Sequence, residues 1–190
     1  MVRSFLAINL CPDANDAIQK AMEQWRVLGK RVKWVKPANI HCTLKFLGDL
    51  TPLQLDRVSE SLDIITKQTN PFNLELARPG IFPHLKRPRI LWLGLKGDIE
   101  RLQLFQDLIE NDLADKGFEP ETRPFIPHIT VGRIKGRVPA KEKLEFFLKS
   151  TISAPISTID KIQLYQSTLT PSGPIYKILS THNFNKYANL

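Results

Sequence analysis

The residues best suited to chemistry in this chain are two histidines, each followed two positions later by a threonine. His41-Cys-Thr43-Leu and His128-Ile-Thr130-Val share the pattern histidine, any residue, threonine, hydrophobic residue, and they lie 87 positions apart among 190 residues. Histidine titrates near neutral pH, so one imidazole can accept a proton while the other donates one. With two hydroxyls to hold phosphate oxygens, this set suits metal-free, in-line attack on a phosphodiester.

Both motifs lie in segments that read as strands, near residues 41–47 and 128–134. Residues i and i+2 of a strand share a face, so each histidine is predicted to lie beside its threonine. Cys42 then points to the opposite face and is predicted to be a core residue. By the same alternation Lys45 shares a face with His41 and Thr43, which predicts a phosphate contact; the alternative is a lysine at the rim of the site.

Other landmarks recur at the same spacing of 87, which indicates an internal duplication. Pro37 corresponds to Pro124 and Pro52 to Pro139, and each half repeats strand, turn, proline-started helix, strand, proline-containing loop, strand. Strands and helices mix without a regular βαβ rhythm, which favours an α+β fold. We therefore predict one bilobal domain over residues 1–190, in which two pseudo-twofold-related antiparallel sheets enclose a central cleft and the helices lie outside.

The remaining elements follow from hydrophobic periodicity and turn residues. Thr51 and Pro52 are typical of a helix start, and Gly117 is typical of a helix end. The predicted elements are strands over 4–10, 32–35, 40–47, 72–77, 89–95, 129–134, 161–166 and 175–183, and helices over about 12–28, 51–67, 97–116 and 139–149.

The amino-acid composition indicates which classes of partner the chain can bind. The chain has 27 Lys and Arg against 19 Asp and Glu, a net charge of +8, which favours a polyanion such as RNA; a solvated lysine-rich surface is the alternative. No apolar run reaches the roughly 20 residues of a membrane span and no signal peptide is evident, so we expect a cytoplasmic protein without membrane contact. Two cysteines make no disulfide framework.

Metal chemistry is disfavoured by the same residues. Each motif supplies one imidazole, and no carboxylate or cysteine stands at ligand spacing. We therefore predict no metal and no cofactor, with a two-histidine metal site as the alternative.

Four segments of the chain are similar to one known family: 41–48, 125–133, 165–176 and 88–94. With these flanks the doubled motif resembles the two-histidine phosphoesterases, most closely the RNA 2′,3′-cyclic phosphodiesterases, also called 2′-5′ RNA ligases, over essentially the whole chain. The resemblance implies metal-independent hydrolysis of RNA 2′,3′-cyclic phosphate ends to 2′-phosphate ends. It assigns His128 as general base, His41 as general acid, and Thr43 and Thr130 as phosphate ligands.

The resemblance also implies that Phe46 and Arg133 contact substrate, the phenyl ring by stacking on a base and the guanidinium by reaching phosphate or sugar. Strand alternation opposes this, because each residue lies five positions after its histidine and so faces the core. Strand twist or a strand end would have to turn both side chains back.

Three alternatives stay open at this point. The chain could bind RNA ends without turnover, or it could hydrolyse small cyclic nucleotides or 2′-5′ oligoadenylates; the same site could also run in reverse as a 2′-5′ ligase. Two intact histidine–threonine pairs favour an active enzyme. We expect a monomer, since an internal repeat already supplies a twofold site.

Overall fold

The computed structural model describes residues 1–185, which form nine strands and four helices. The strands are β1 (Val2–Ile8), β2 (Val32–Trp34), β3 (Cys42–Leu50), β4 (Phe72–Phe82), β5 (Ile90–Gly97), β6 (His128–Ile134), β7 (Ser157–Ile159), β8 (Lys161–Thr170) and β9 (Gly173–Asn183). The helices are α1 (Pro12–Trp25), α2 (Pro52–Lys67), α3 (Ile99–Asp115) and α4 (Lys141–Lys149). Short 3₁₀ turns occupy Arg26–Leu28 and Pro37–Asn39.

The strands form one antiparallel sheet in the order β7-β4-β5-β6-β3-β1-β8-β9, with β2 added to β6. The two motif strands, β6 and β3, are central neighbours, and the pair Cys42–Ile129 joins them. Each side of this junction is a four-stranded half of the sheet. The predicted α+β fold is confirmed, and the two predicted antiparallel sheets are the halves of one continuous sheet, which meet along the motif strands.

The halves repeat one order of elements. β1-α1-β3-α2-β4 recurs as β5-α3-β6-α4-β8, with each element starting 86 to 89 positions after its counterpart. The last strand of each copy is exchanged, because β4 pairs with β5 and β8 pairs with β1. Each half of the sheet therefore contains a strand from the other copy.

Helix ends follow local chemistry. Thr51 caps α2 through a reciprocal capping box with Gln54, which satisfies two backbone groups that a bare helix end leaves unpaired. α1 stops at Trp25, earlier than predicted, where the chain tightens into a 3₁₀ turn closed by Gly29 at φ +96°. Gly48 lies inside β3 at φ +72°, a conformation that glycine adopts readily. β7 was not predicted, since three residues are too short to show a period.

The core lies between the sheet and the helices. The indole of Trp25 on α1 packs edge-on to Phe147 of α4 at 4.8 Å and stacks with Trp34 of β2 at 6.4 Å. Full burial of such side chains is worth roughly 1.5–3 kcal/mol each. His182 of β9 bonds Asp63 of α2 through Nδ1 at 2.6 Å. These contacts hold the helices on one face of the sheet and leave the other face to the site.

Candidate active site

The antiparallel junction brings the four motif side chains together. Because Cys42 pairs with Ile129, His41 lies opposite Thr130 and Thr43 lies opposite His128. Diagonal neighbours across such a pair are about 7–8 Å apart, within reach of long side chains. The two imidazoles are therefore diagonal neighbours across the junction, close enough for His128 to act electrostatically on His41.

A backbone carbonyl orients each imidazole. His128 Nδ1 donates to the Ile126 carbonyl oxygen at 2.7 Å, and the His41 ring donates to the Asn39 carbonyl. Both carbonyls belong to the residue two positions before the histidine, again 87 apart. Donation through Nδ1 leaves Nε2 as the reactive nitrogen, and His41 Nε2 lies 3.0 Å from the Thr43 hydroxyl. A backbone acceptor has no side-chain signal, so the sequence did not indicate it.

Each histidine packs against its own set of aromatic rings. His41 stacks on Phe5 at 5.0 Å and meets Tyr176 edge-on at 5.3 Å. His128 meets Phe82 edge-on at 5.1 Å and Trp92 at 6.0 Å. None of these four rings was singled out from the sequence. Trp92 and Tyr176 lie in the segments that carried the family resemblance, which was the one signal available.

Burial favours the neutral form of both histidines in the free protein. Burial lowers the pKa of His41 to about 4, against the opposing effect of the Asn39 carbonyl, and positive charge at His128 and Arg133 adds to the lowering. Burial also lowers the pKa of His128, which the Ile126 carbonyl opposes and Arg133 reinforces. An anion bound between the rings favours their charged forms, so it shifts each pKa upward.

Cys42 takes no part in this chemistry. Its side chain is buried on the opposite face with 1% exposure, as predicted for a core residue. Burial raises the pKa of the Cys42 thiol to about 12, which keeps the sulfur protonated and unreactive.

Lys45 is not a phosphate contact. In the β1–β3 pairing Ala7 faces Thr43 while Leu6 faces Lys45, so Leu44 is an extra, bulged residue and the alternation reverses after it. Lys45 Nζ instead lies 2.5 Å from Glu110 Oε1 of α3 and 2.9 Å from the Glu119 carbonyl oxygen, with the residue 4% exposed. The prediction from strand alternation is wrong because one inserted residue turned the side chain to the core.

The same bulge occurs in β6 and brings Arg133 to the site face. Trp92 pairs with Thr130 while Leu91 pairs with Gly132, so Val131 is the extra residue, 87 positions after Leu44. The Arg133 charge lowers the pKa of both histidines, so its guanidinium lies close enough to act on them electrostatically.

Phe46 reaches the site face after the first bulge. Its ring is 67% exposed and lies 6.1 Å from Phe5. The paired bulges therefore remove the objection that strand alternation raised against Phe46 and Arg133.

Neither a metal-binding cluster nor a membrane-spanning helix is found in the part of the chain that the structure describes. Among residues 1–185, no three His, Cys, Asp or Glu side chains cluster closely enough to hold a metal ion. Over the same range, no helix combines the length and apolar character needed to cross a bilayer.

The fold and the site define a class: a repeated antiparallel α+β protein with two histidine–threonine pairs at the junction of its halves. A family model described as the 2'-5' RNA ligase superfamily matches residues 14–170, and the chain belongs to this superfamily. The resemblance inferred from the four segments is thus confirmed.

Individual relatives cover nearly the whole chain. The RNA 2',3'-cyclic phosphodiesterase of Aquifex aeolicus is 34% identical, over 94% of this chain and 95% of its own length. The RNA 2',3'-cyclic phosphodiesterase of Methanothermobacter thermautotrophicus is 32% identical, over 92% and 95%. In fold, the crystal structure of TT0787 of Thermus thermophilus superposes with a TM-score of 0.83 at 23% identity, over 96% of this chain and 97% of its own.

Proposed function

We propose that this protein hydrolyses 2′,3′-cyclic phosphate ends of RNA to 2′-phosphate ends by metal-independent acid/base catalysis. The observation that carries the proposal is the pair of imidazoles on adjacent central strands, each hydrogen-bonded to the backbone carbonyl two residues before it. The relatives named RNA 2',3'-cyclic phosphodiesterase support the choice of substrate.

The proposed reaction is an in-line displacement at phosphorus. His128 Nε2 takes a proton from water as the water oxygen bonds to phosphorus. The bond from phosphorus to the 3′ oxygen breaks, and His41 Nε2 gives that oxygen a proton. Thr43 and Thr130 donate hydrogen bonds to the non-bridging oxygens, where charge develops. The His128-base, His41-acid assignment follows the family resemblance.

The assignment requires a change of protonation at His41 on binding. Burial holds its pKa at about 4 in the free protein, so at neutral pH the Nε2 atom of the neutral ring carries no proton to give. The negative cyclic phosphate, placed against Nε2, raises the pKa of His41 and loads the acid. Substrate binding and proton uptake are therefore coupled in this proposal.

The bulges supply two substrate contacts to the proposal. Phe46, exposed on the site face, stacks on a base next to the cyclic phosphate. Arg133 approaches the phosphate from the His128 side. A stacked base and a guanidinium–phosphate contact together fix the orientation of the terminal nucleotide.

The working unit in this proposal is a monomer of one bilobal domain, residues 1–190, in the cytoplasm. The exchange of β4 and β8 between the two copies supports one cooperative unit. Light scattering of the purified chain at micromolar concentration gives a mass near 21.7 kDa if it is a monomer.

The test is an RNA oligomer ending in a 2′,3′-cyclic phosphate, incubated with excess chelator. Product ending in a 2′-phosphate is expected, and its rate of formation should fall by about 10²–10⁴-fold in His41→Ala and in His128→Ala. Undiminished turnover by either variant contradicts the mechanism. Binding of the RNA end without turnover by the wild type identifies an RNA-end-binding protein instead, and the addition of a 5′-hydroxyl RNA measures reverse ligation in the same assay.

A further inference from the structure

Basic side chains are concentrated in three acid-free segments. Residues 24–48, 76–97 and 122–141 contain 16 of the 27 lysines and arginines and none of the 19 aspartates and glutamates. Positive and negative side chains are usually mixed on a protein surface, so the position of these three acid-free segments in the fold is informative.

The fold brings the three segments together at the C-terminal end of the motif strand β6. β2 pairs with β6, which sets Lys33 opposite Arg133. The Arg89 carbonyl accepts from the Ile134 amide at 2.9 Å, and the Arg31 carbonyl accepts from the Lys135 amide at 2.8 Å. We call the resulting group of cations the basic edge: Arg31, Lys33, Arg87, Arg89, Lys135 and Arg137.

The basic edge carries an electrostatic cost that the protein does not offset. Like charges directly opposite each other on paired strands are destabilising, and Lys33 faces Arg133 in this way. Within residues 1–185, no ion pair includes any of the six side chains. All but the half-buried Lys33 are exposed. A bound polyanion would neutralise this group of unpaired cations and so remove the repulsion between them.

The basic edge is continuous with the site through Arg133. Arg133 acts electrostatically on both histidines, and its backbone pairs with Lys33 on one side and Ile90 on the other. The surface thus begins at Arg133, close to the motif histidines, and runs outward along β2 and the turns before β5 and after β6.

We propose that the basic edge binds the single-stranded RNA that leads up to the cyclic phosphate, an inference that rests on the proposed function. The strand leaves the site past Arg133 and its phosphates lie along the six cations. Such contacts do not read sequence, and they release counterions, so they weaken as salt rises. The site then prefers an RNA end to a free cyclic nucleotide because of charge outside the catalytic centre.

The test compares two triple variants on two substrates. The edge variant is Arg31→Glu/Lys135→Glu/Arg137→Glu. The matched control, Lys20→Glu/Lys67→Glu/Lys143→Glu, makes the same change of net charge at exposed positions on α1, α2 and α4. The substrates are a 2′,3′-cyclic mononucleotide and a decamer RNA with the same terminal nucleotide.

The edge variant should lose the preference for RNA and nothing else. We expect kcat/KM for the decamer to fall at least ~10-fold at low salt, with the slope of log KM against log salt reduced by about 2, since each lost phosphate contact removes ~0.7. Mononucleotide turnover should change by less than ~2-fold in both variants. Similar losses on the decamer in the edge variant and the control would show an effect of net charge alone and overturn the proposal.

Binding of a labelled decamer in a His41→Ala/His128→Ala background separates the two proposals. If wild type turns over neither substrate but the edge substitutions still weaken binding, the proposed function fails and the basic edge stands as an RNA surface. If wild type turns over both substrates and the edge substitutions change neither binding nor the salt slope, the function stands and the basic edge fails.

Discussion

The two halves of the site share their backbone devices and differ in their side chains. Each half bends its motif strand with a bulge three residues after the histidine, at Leu44 and at Val131, and each orients its imidazole with the carbonyl two residues before. The position two residues after the bulge is Phe46 in one half and Arg133 in the other. A duplicated backbone has thus kept its geometry while one half offers an aromatic ring and the other a cation.

The residue directly after each bulge also differs between the halves, because the space around it is filled differently. In β3 it is Lys45, whose side chain enters the core to meet Glu110. In β6 it is Gly132, where an added Cβ would lie 2.9 Å from Val32 Cγ1 and 3.1 Å from a Trp34 ring carbon. β2 therefore fills the space in one half that a lysine fills in the other.

The largest expected effect tests whether the two histidines are equally necessary in spite of their different surroundings. His41→Ala and His128→Ala should each lower kcat on RNA cyclic phosphate by about 10²–10⁴-fold. The double variant should be little worse than either single one, because groups that act as a unit are not additive. His84→Ala, at an exposed loop position, is the control, and a tenfold difference between the two single variants would show that one half dominates.

The sequence predicted the fold class and the grouping of the four motif residues, because both depend on period-two patterns and on a repeat. It failed at Lys45, since strand alternation assumes that no residue is inserted, and a bulge formed by Leu44 or Val131 leaves no mark in residue type. The sequence also did not predict that the carbonyls of Asn39 and Ile126 orient the imidazoles, because every residue has a backbone carbonyl and only the folded geometry selects which one accepts.

Lys45→Met tests the buried contact that only the first half possesses. Removing the ammonium leaves the Glu110 carboxylate, 15% exposed as a side chain, without its ion partner, at a cost of about 3–5 kcal/mol of unfolding free energy. Lys45→Met/Glu110→Leu should recover much of this loss, because neither charge remains buried. Urea unfolding at pH 7 measures both, and a loss below about 1 kcal/mol in the single variant would contradict the assignment.

The pH dependence of stability compares the two histidines directly. The pKa of His41 is lowered from 6.5 to about 4 in the folded chain, so the unfolded chain binds the proton more tightly. The resulting stabilisation is full above pH 6.5 and is lost as the pH falls towards 4, by about 3 kcal/mol.

Replacement of His41 by asparagine should flatten the stability curve over this interval. His128→Asn should flatten it in the same direction, since burial also lowers the pKa of His128. Thermal unfolding at steps between pH 4 and 7 makes the measurement. Equal flattening by the two variants would show that burial acts alike on both rings.

The smallest expected effect concerns the residues that distinguish the halves, Arg133 and Phe46. Arg133 lowers the pKa of both histidines, so Arg133→Met should raise both and move the acidic limb of kcat/KM to higher pH, where the base becomes protonated. Loss of the proposed guanidinium–phosphate contact should also lower kcat/KM about tenfold at pH 7. Phe46→Leu removes a ring without removing a charge, so it should weaken substrate binding and leave the pH profile in place. A shifted profile in Phe46→Leu, or none in Arg133→Met, would contradict this division between a cationic half and an aromatic half.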